Sequence, residues 1–153
     1  MNKALIVALL LILPAITGCV EIQEAKEKVQ SFLKPSMEYK WVKKVNEKAD
    51  FGLFDIINSD MAKVDNYPFI VENGTEFLHI YIHCNFSKPF GKINIIVVSP
   101  EKNTTKEYST LGKSYQYDDF IYFDSPIAGN WKIVVKVIGI GDYRLIAEAY
   151  QHI

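Results

Sequence analysis

The chain has 153 residues, of which 49% are hydrophobic, and a formal net charge of −1. The apolar share supports a folded core and excludes a disordered chain. The balanced charge provides no basic surface for nucleic acid, so we expect no nucleic-acid partner. Lysine, glutamate and isoleucine predominate beside a single arginine, Arg144, which favours an archaeal source, although an AT-rich genome gives the same bias.

Residues 1–19 follow the order of a secretory signal that ends in a cysteine. Lys3 precedes an apolar run over 4–13, and Ile16-Thr17-Gly18-Cys19 follows. This ending is similar to a lipobox, in which the thiol receives a lipid and the cysteine becomes the new N-terminus. The run is shorter than the roughly 20 apolar residues of a spanning helix. We predict a signal peptide over 1–18 and a lipid anchor at Cys19 on the outer face of the cell membrane; the alternatives are an uncleaved anchor and a signal cut without lipid.

After the anchor, residues 19–36 hold a short predicted helix over 21–33, and the apolar pattern then changes to the alternation of β-strands. Asn73-Gly74 is expected to close a hairpin between two of these strands. The regular spacing of strands and turns predicts a mainly β fold, an antiparallel β-sandwich over 37–153. The predicted strands are 39–45, 67–72, 75–84, 93–98, 106–110, 120–123, 131–137 and 143–149, with weaker signals at 51–57 and 61–64.

The stretch from Asp65 to Tyr150 resembles a known family in its turns and core positions. The matching segments are Asp65 to Gly74, the alternating Phe77 to Ile82, Val98-Ser99-Pro100, Pro126-Ile127-Ala128-Gly129-Asn130-Trp131 with the strand that follows, and Gly141 to Leu145. They resemble the bacterial pre-peptidase C-terminal domain and, more loosely, the jelly-roll P-domain of convertases. That family accompanies secreted peptidases and serves secretion, inhibition or surface binding. For a chain without a peptidase domain, the resemblance implies a non-enzymatic role.

The residue types that carry catalysis or bind metals form no recognisable motif. The sequence has no G-x-S-x-G, H-E-x-x-H or glycine-rich phosphate loop. His79 and His83 share a strand face, but about 13 Å of strand separates them, too far for one metal ion. Cys84 alternates with apolar residues and is expected to be an inert buried thiol. We therefore predict no enzyme, no cofactor and no metal site.

Three Asn-x-Ser/Thr tripeptides, which begin at Asn73, Asn85 and Asn103, are candidate glycosylation sites. All three are expected in turns, where asparagine is common for its backbone chemistry alone, so plain turn chemistry is the alternative.

Aromatic residues provide the candidate binding surface. Tyr115 and Tyr117 lie in the irregular stretch 112–119 and, with Tyr122 and Tyr150, would suit a sugar or a protein partner if exposed. Packing in the core and at its rim explains these residues equally well. We predict a lipid-anchored extracytoplasmic binding or accessory domain whose partner is an envelope protein or a glycan. The alternatives are a structural envelope component without a ligand and a hydrolase.

Overall fold

The computed structural model describes residues 38–52 and 62–153. The chain divides into two units, Met1–Met37 and Glu38–Ile153, and every described residue lies in the second unit. The predictions made for Cys19, for the signal over 1–18 and for the anchor and helix over 19–36 lie outside the described residues.

The described residues form eight strands in two sheets. Sheet 1 has the order β1-β8-β3-β6 and sheet 2 the order β2-β7-β4-β5, with antiparallel neighbours throughout. The predicted antiparallel β-sandwich is thus confirmed. The strands are β1 (Tyr39–Phe51), β2 (Lys63–Val71), β3 (Phe77–Phe86), β4 (Lys92–Val98), β5 (Asn103–Ser109), β6 (Gln116–Asp124), β7 (Gly129–Ile138) and β8 (Gly141–His152).

Within the described ranges, no helix has the length and apolar character needed to cross a membrane.

The hydrophobic core lies between the two sheets and is built from alternate residues of the strands. Alternate residues of β7 and β8 are all buried: Trp131, Ile133, Val135, Val137, Tyr143, Leu145, Ala147 and Ala149. The described members of the core cluster lie between Val45 and Ala149. The strands of the second unit therefore share one hydrophobic core, as an independently folding domain does.

The prediction that Asn73-Gly74 closes a hairpin is wrong. β2 pairs with β7 in sheet 2, whereas β3 pairs with β6 and β8 in sheet 1, so this turn carries the chain from one sheet to the other. The Thr75 N–H donates to Glu72 O at 3.3 Å, and Gly74 has a φ of 80° while Asn73 has no positive φ. That is the pattern of a type II turn, whereas the type I′ turn of a tight hairpin needs a positive φ at both central residues.

Side chains of β5 and β6 join the two sheets along one edge of the sandwich. The Tyr108 and Tyr117 rings stack with their centroids 4.6 Å apart. Tyr117 OH donates to Asp119 Oδ2 at 2.8 Å, and Lys106 Nζ lies 3.4 Å from the same oxygen. Tyr117, predicted to line a binding surface, thus packs against the core at this edge.

A series of hydrogen bonds between two tyrosine hydroxyls and one carboxylate links β2 with β8 between the sheets. Tyr143, which is fully buried, donates to Asp65 Oδ2 at 2.5 Å, and its oxygen lies 2.5 Å from Tyr67 OH. Lys63 Nζ lies 3.5 Å from the same Asp65 oxygen. Burial, together with the bonds to Asp65 and Tyr67, raises the pKa of Tyr143 well above its usual value.

The two ends of the second unit meet at one end of the sandwich, where the Ile153 N–H donates to Glu38 O at 3.3 Å. The antiparallel order places the β3–β4, β5–β6 and β7–β8 connections at the opposite end. We call these three connections, residues 87–91, 110–115 and 139–140, the loop end.

Cys84 is predicted to be unreactive in the folded protein. Its side chain is fully buried on β3, and burial raises the pKa of the thiol to about 12. In a Cys19→Ser variant, where Cys84 is the single cysteine, we expect no iodoacetamide labelling at pH 8 and complete labelling in guanidinium chloride. Mass spectrometry measures both, and rapid labelling of the folded protein would contradict the burial of β3.

Candidate functional site

The outer face of sheet 1 carries a continuous group of aromatic side chains. Since the side chains of a strand alternate between the two faces of a sheet, the residues between the buried core positions point away from the core. On four neighbouring strands many of these outward positions are aromatic. We call the group the aromatic face: Tyr39, Trp41, Phe77, His79, Tyr81, Phe120, Tyr122 and Tyr150.

Trp41 contacts rings of two other strands in one half of the aromatic face. It lies opposite Tyr150 in the β1–β8 register, and their ring centroids are 5.2 Å apart. Its indole also reaches across β8 to His79 on β3, at 4.5 Å. Tyr39 also stacks on Tyr150, with ring centroids 5.3 Å apart. The β1 edge of the sheet is therefore joined to its centre through ring contacts.

The other half of the aromatic face continues from His79 to the β6 edge. The Tyr122 ring meets His79 edge to face at 4.8 Å and lies parallel to Phe120 at 5.9 Å. Phe120 contacts Tyr81 at 4.7 Å. Exposure is 46% for Trp41 and 59% for Tyr122, so the rings are accessible on both edge strands.

A polar cluster borders the aromatic face toward the loop end. Asp118 Oδ1 accepts hydrogen bonds from Tyr81 OH at 2.7 Å and lies 2.8 Å from His83 Nδ1. The bond from Tyr81, and then that from His83, lowers the pKa of Asp118. The same bond raises the pKa of Tyr81. Asp118 is thus an oriented carboxylate acceptor beside the last aromatic ring.

Two clefts flank the aromatic face. One of about 470 Å³ lies beside His83 and is lined by Asn46, Glu47, Lys48, Asp142 and Arg144. In its floor, Lys48 on β1 lies opposite Arg144 on β8, which lies opposite His83 on β3. The other, of about 300 Å³, adjoins Tyr122 and Asp124 at the far end of the sandwich. The clefts supply hydrogen-bond donors and acceptors, and the aromatic face supplies flat apolar area.

This arrangement suits a ligand with a flat apolar surface and polar groups at its rim. Neighbouring rings hold one another in position, so little side-chain entropy is lost on binding. Within residues 38–52 and 62–153, no three His, Cys, Asp or Glu side chains come together in a group that could hold a metal ion.

The structure separates the aromatic residues that the sequence grouped. Tyr122 and Tyr150 lie on the aromatic face, whereas Tyr117 packs beside Tyr108 and Tyr115 belongs to the loop end. Sequence reasoning did not place Trp41, Phe77, His79, Tyr81 or Phe120 in a site. The signal was present as aromatic residues at alternate positions of single strands, but that pattern does not show which strands are neighbours.

The candidate glycosylation sites lie in different surroundings. Asn73 is exposed in the predicted turn, while Asn103 is exposed at the first residue of β5 and Asn85 is half-buried near the end of β3. The expected turn location therefore holds for Asn73 and is wrong for Asn85 and Asn103. Glycosylation at the three positions stays a prediction.

No protein-family model and no curated protein matches the sequence. Among solved structures, the chain is similar to the carbohydrate-binding module TmCBM61 in complex with β-1,4-galactotriose, with 16% identity, a TM-score of 0.37, and coverage of 69% of this chain and 86% of that one. It is also similar to the Bacillus licheniformis lipase BlEst2 in its propeptide form, with 13% identity and a TM-score of 0.41. That match covers 71% of this chain and 22% of the lipase chain, so this chain spans about a fifth of the lipase.

Proposed function

We propose that the second unit is a non-catalytic glycan-binding module and that the aromatic face is its binding site. A pyranose ring presents C–H groups on one side and hydroxyl groups around its edge. The C–H hydrogens carry partial positive charge and match the electron-rich face of an aromatic ring. The observation that carries the proposal is the unbroken series of ring contacts across sheet 1, from Tyr39 to Tyr81.

The dimensions of the aromatic face favour an oligosaccharide over a single sugar. Trp41 and Tyr122 lie on the two edge strands of sheet 1. Three strand spacings of ~4.8 Å separate those edges, or about 14 Å. A single sugar ring would cover only part of that distance, so several sugar units of one chain can contact rings at the same time.

The polar cluster provides the direction and selectivity that aromatic stacking lacks. Asp118 is held by Tyr81 and His83, and Arg144 and Lys48 stand in the adjoining cleft. Sugar hydroxyls both donate and accept hydrogen bonds, so a carboxylate next to cationic donors can bind them in pairs. We infer that one end of the glycan is oriented by this cluster.

Binding is expected to depend on Trp41 and not on an aromatic residue elsewhere. Trp41→Ala removes the ring that joins β1 to the centre of the site, and we expect at least a tenfold loss of affinity. Tyr115→Ala is a matched control, because Tyr115 is 45% exposed and Trp41 is 46% exposed. Affinity electrophoresis in gels that contain β-1,4-glucan, β-1,4-galactan or mannan measures the effect. Wild-type protein that is retarded by no glycan, or equal retardation of the two variants, would contradict the proposal.

We further propose that the module is held on the outer face of the membrane by a lipid on Cys19, close to envelope glycans and glycosylated envelope proteins. The order of residues 1–19 supports this location. In a Cys19→Ser variant the protein is expected to leave the membrane fraction after a high-salt wash, which weakens contacts to anionic headgroups, as measured by fractionation and mass spectrometry of its N-terminus. A variant that stays membrane-bound and begins at Met1 would instead indicate a spanning segment.

A further inference from the structure

The loop end exposes large apolar side chains that neither the core nor the aromatic face uses. Phe90 in the β3–β4 connection is 77% exposed, and Leu111 in the β5–β6 connection is 72% exposed. Tyr115 lies in the second of these connections and is also exposed. Two apolar side chains of this size on loop tips cost solubility unless a partner covers them.

Hydrogen bonds hold these two connections together. The Gly91 N–H donates to Thr110 Oγ1 at 2.8 Å, and the Thr110 N–H donates to Gly91 O at 3.0 Å. Thr110 is buried, and Gly91 has no room for a side chain, because a Cβ there would lie 2.0 Å from the Phe86 ring. Phe90 and Leu111 immediately flank the bonded pair. They therefore project from one pinned site and not from two independent loops.

The two connections that carry these side chains contain lysines and no carboxylates. Residues 86–92 and 109–117 contain Lys88, Lys92 and Lys113 and neither Asp nor Glu. Lys92 pairs with Glu107. Among the described residues, Lys88 and Lys113 have no carboxylate partner within ion-pair distance. Glu107 lies on β5 and is occupied by its pair with Lys92, while Asp50 and Asp142 belong to β1 and β8, on the far side of β3 from β6.

We propose that the loop end docks on the surface of a lipid bilayer with anionic headgroups. Phe90 and Leu111 are each more than 70% exposed, and a bilayer can receive such exposed apolar tips without a preformed pocket. Phe90 and Leu111 would enter the boundary between headgroups and acyl chains, with Tyr115 at headgroup level, where amphipathic rings are favoured. Lys88 and Lys113 would then face lipid phosphates. The aromatic face lies on the side of the sandwich and stays open in this orientation.

Vesicle co-sedimentation tests this docking with the chain that begins at residue 19 and carries Cys19→Ser, which keeps the whole second unit and its core. We expect binding to vesicles of phosphatidylcholine and phosphatidylglycerol, and at least a tenfold loss in a Phe90→Ser/Leu111→Ser variant. Lys88→Gln and Lys113→Gln are each expected to weaken this binding about fivefold, with little effect on pure phosphatidylcholine vesicles.

Ile70→Ser is the matched control, since Ile70 is 54% exposed on β2, outside the loop end. It should bind vesicles like the parent chain. The proposal is overturned if the parent chain does not sediment with anionic vesicles, or if the Phe90/Leu111 variant sediments as well as the parent. Glycan binding is measured without vesicles on the same proteins, so a failure of membrane docking leaves the glycan proposal standing and the reverse is also true.

Discussion

Gly141→Ala is expected to cost the second unit at least ~3 kcal/mol of its free energy of unfolding, a large share of the stability of a domain this size. Gly141 begins β8 and lies opposite Phe51 on β1 and Phe86 on β3. A methyl group on its Cα would lie 2.0 Å from the carbonyl oxygen of Asn85 and 3.0 Å from the Phe51 ring. Because β3 is an interior strand, its backbone cannot retreat without breaking hydrogen bonds to β8 or β6.

Urea unfolding followed by circular dichroism measures this loss. Gly52→Ala is the control, because a Cβ at Gly52 meets no atom of residues 38–52 and 62–153 within 4 Å. The control should unfold at the wild-type midpoint or slightly above it, since alanine lowers the entropy of the unfolded chain. If Gly141→Ala unfolds at the midpoint of the control, the close packing of β8 against β3 is wrong.

Tyr143→Phe is expected to lower the free energy of unfolding by about 2 kcal/mol. The change keeps the ring in the core and removes the hydroxyl that joins Tyr67 to Asp65. Breaking a buried hydrogen-bonded chain leaves its remaining members with unpaired groups, which costs ~1–3 kcal/mol. Tyr122→Phe removes a hydroxyl from an exposed ring and is expected to change stability little. Equal effects of the two substitutions would show that the Tyr67–Tyr143–Asp65 chain contributes nothing.

The same substitution should change how stability depends on alkaline pH. Burial raises the pKa of Tyr143 in the folded state. The contribution of its protonated hydroxyl to the free energy of unfolding is therefore complete below the unfolded pKa of ~10 and is lost as the pH rises above that value. Above pH 10 the unfolded chain loses a proton that the folded chain keeps on Tyr143. Each such tyrosine lowers the free energy of unfolding by up to ~1.4 kcal/mol per pH unit. Tyr143→Phe should therefore lose stability less steeply above pH 10 than wild type. Burial also raises the pKa of Tyr67 and Tyr117, so some slope should remain.

The strands that the sequence predicted best are those whose pattern is set locally. β7 and β8 bury every second residue, and this alternation is visible without knowing their partners. β1 was harder, because a bulge between Lys43 and Val45 shifts its register and its later residues are polar. The sequence therefore predicted a strand that ends at residue 45, whereas β1 runs to Phe51. The second predicted strand, 51–57, lies mostly outside the described residues. The Asn73-Gly74 turn failed for another reason: local chemistry favours a turn but does not choose the sheet that each flanking strand joins.

The candidate site could be predicted only in fragments for the same reason. Trp41, His79, Tyr122 and Tyr150 come from four strands that are distant in sequence, and only the order β1-β8-β3-β6 makes them neighbours. A tyrosine in a stretch without strand pattern, such as Tyr117, looked exposed because the sequence does not show the Tyr108 ring that covers it. Sequence indicates which residues point outward from each strand, and strand order decides which of them form a surface.

The bond between Ile153 and Glu38 means that the polypeptide enters and leaves this unit at one point. Such a unit can be spliced into a loop of a host protein, or linked in tandem, without stretching its own ends. Joining residue 153 to residue 38 and opening the chain at an exposed turn such as 125–128 should give a circular permutant with the same sheets.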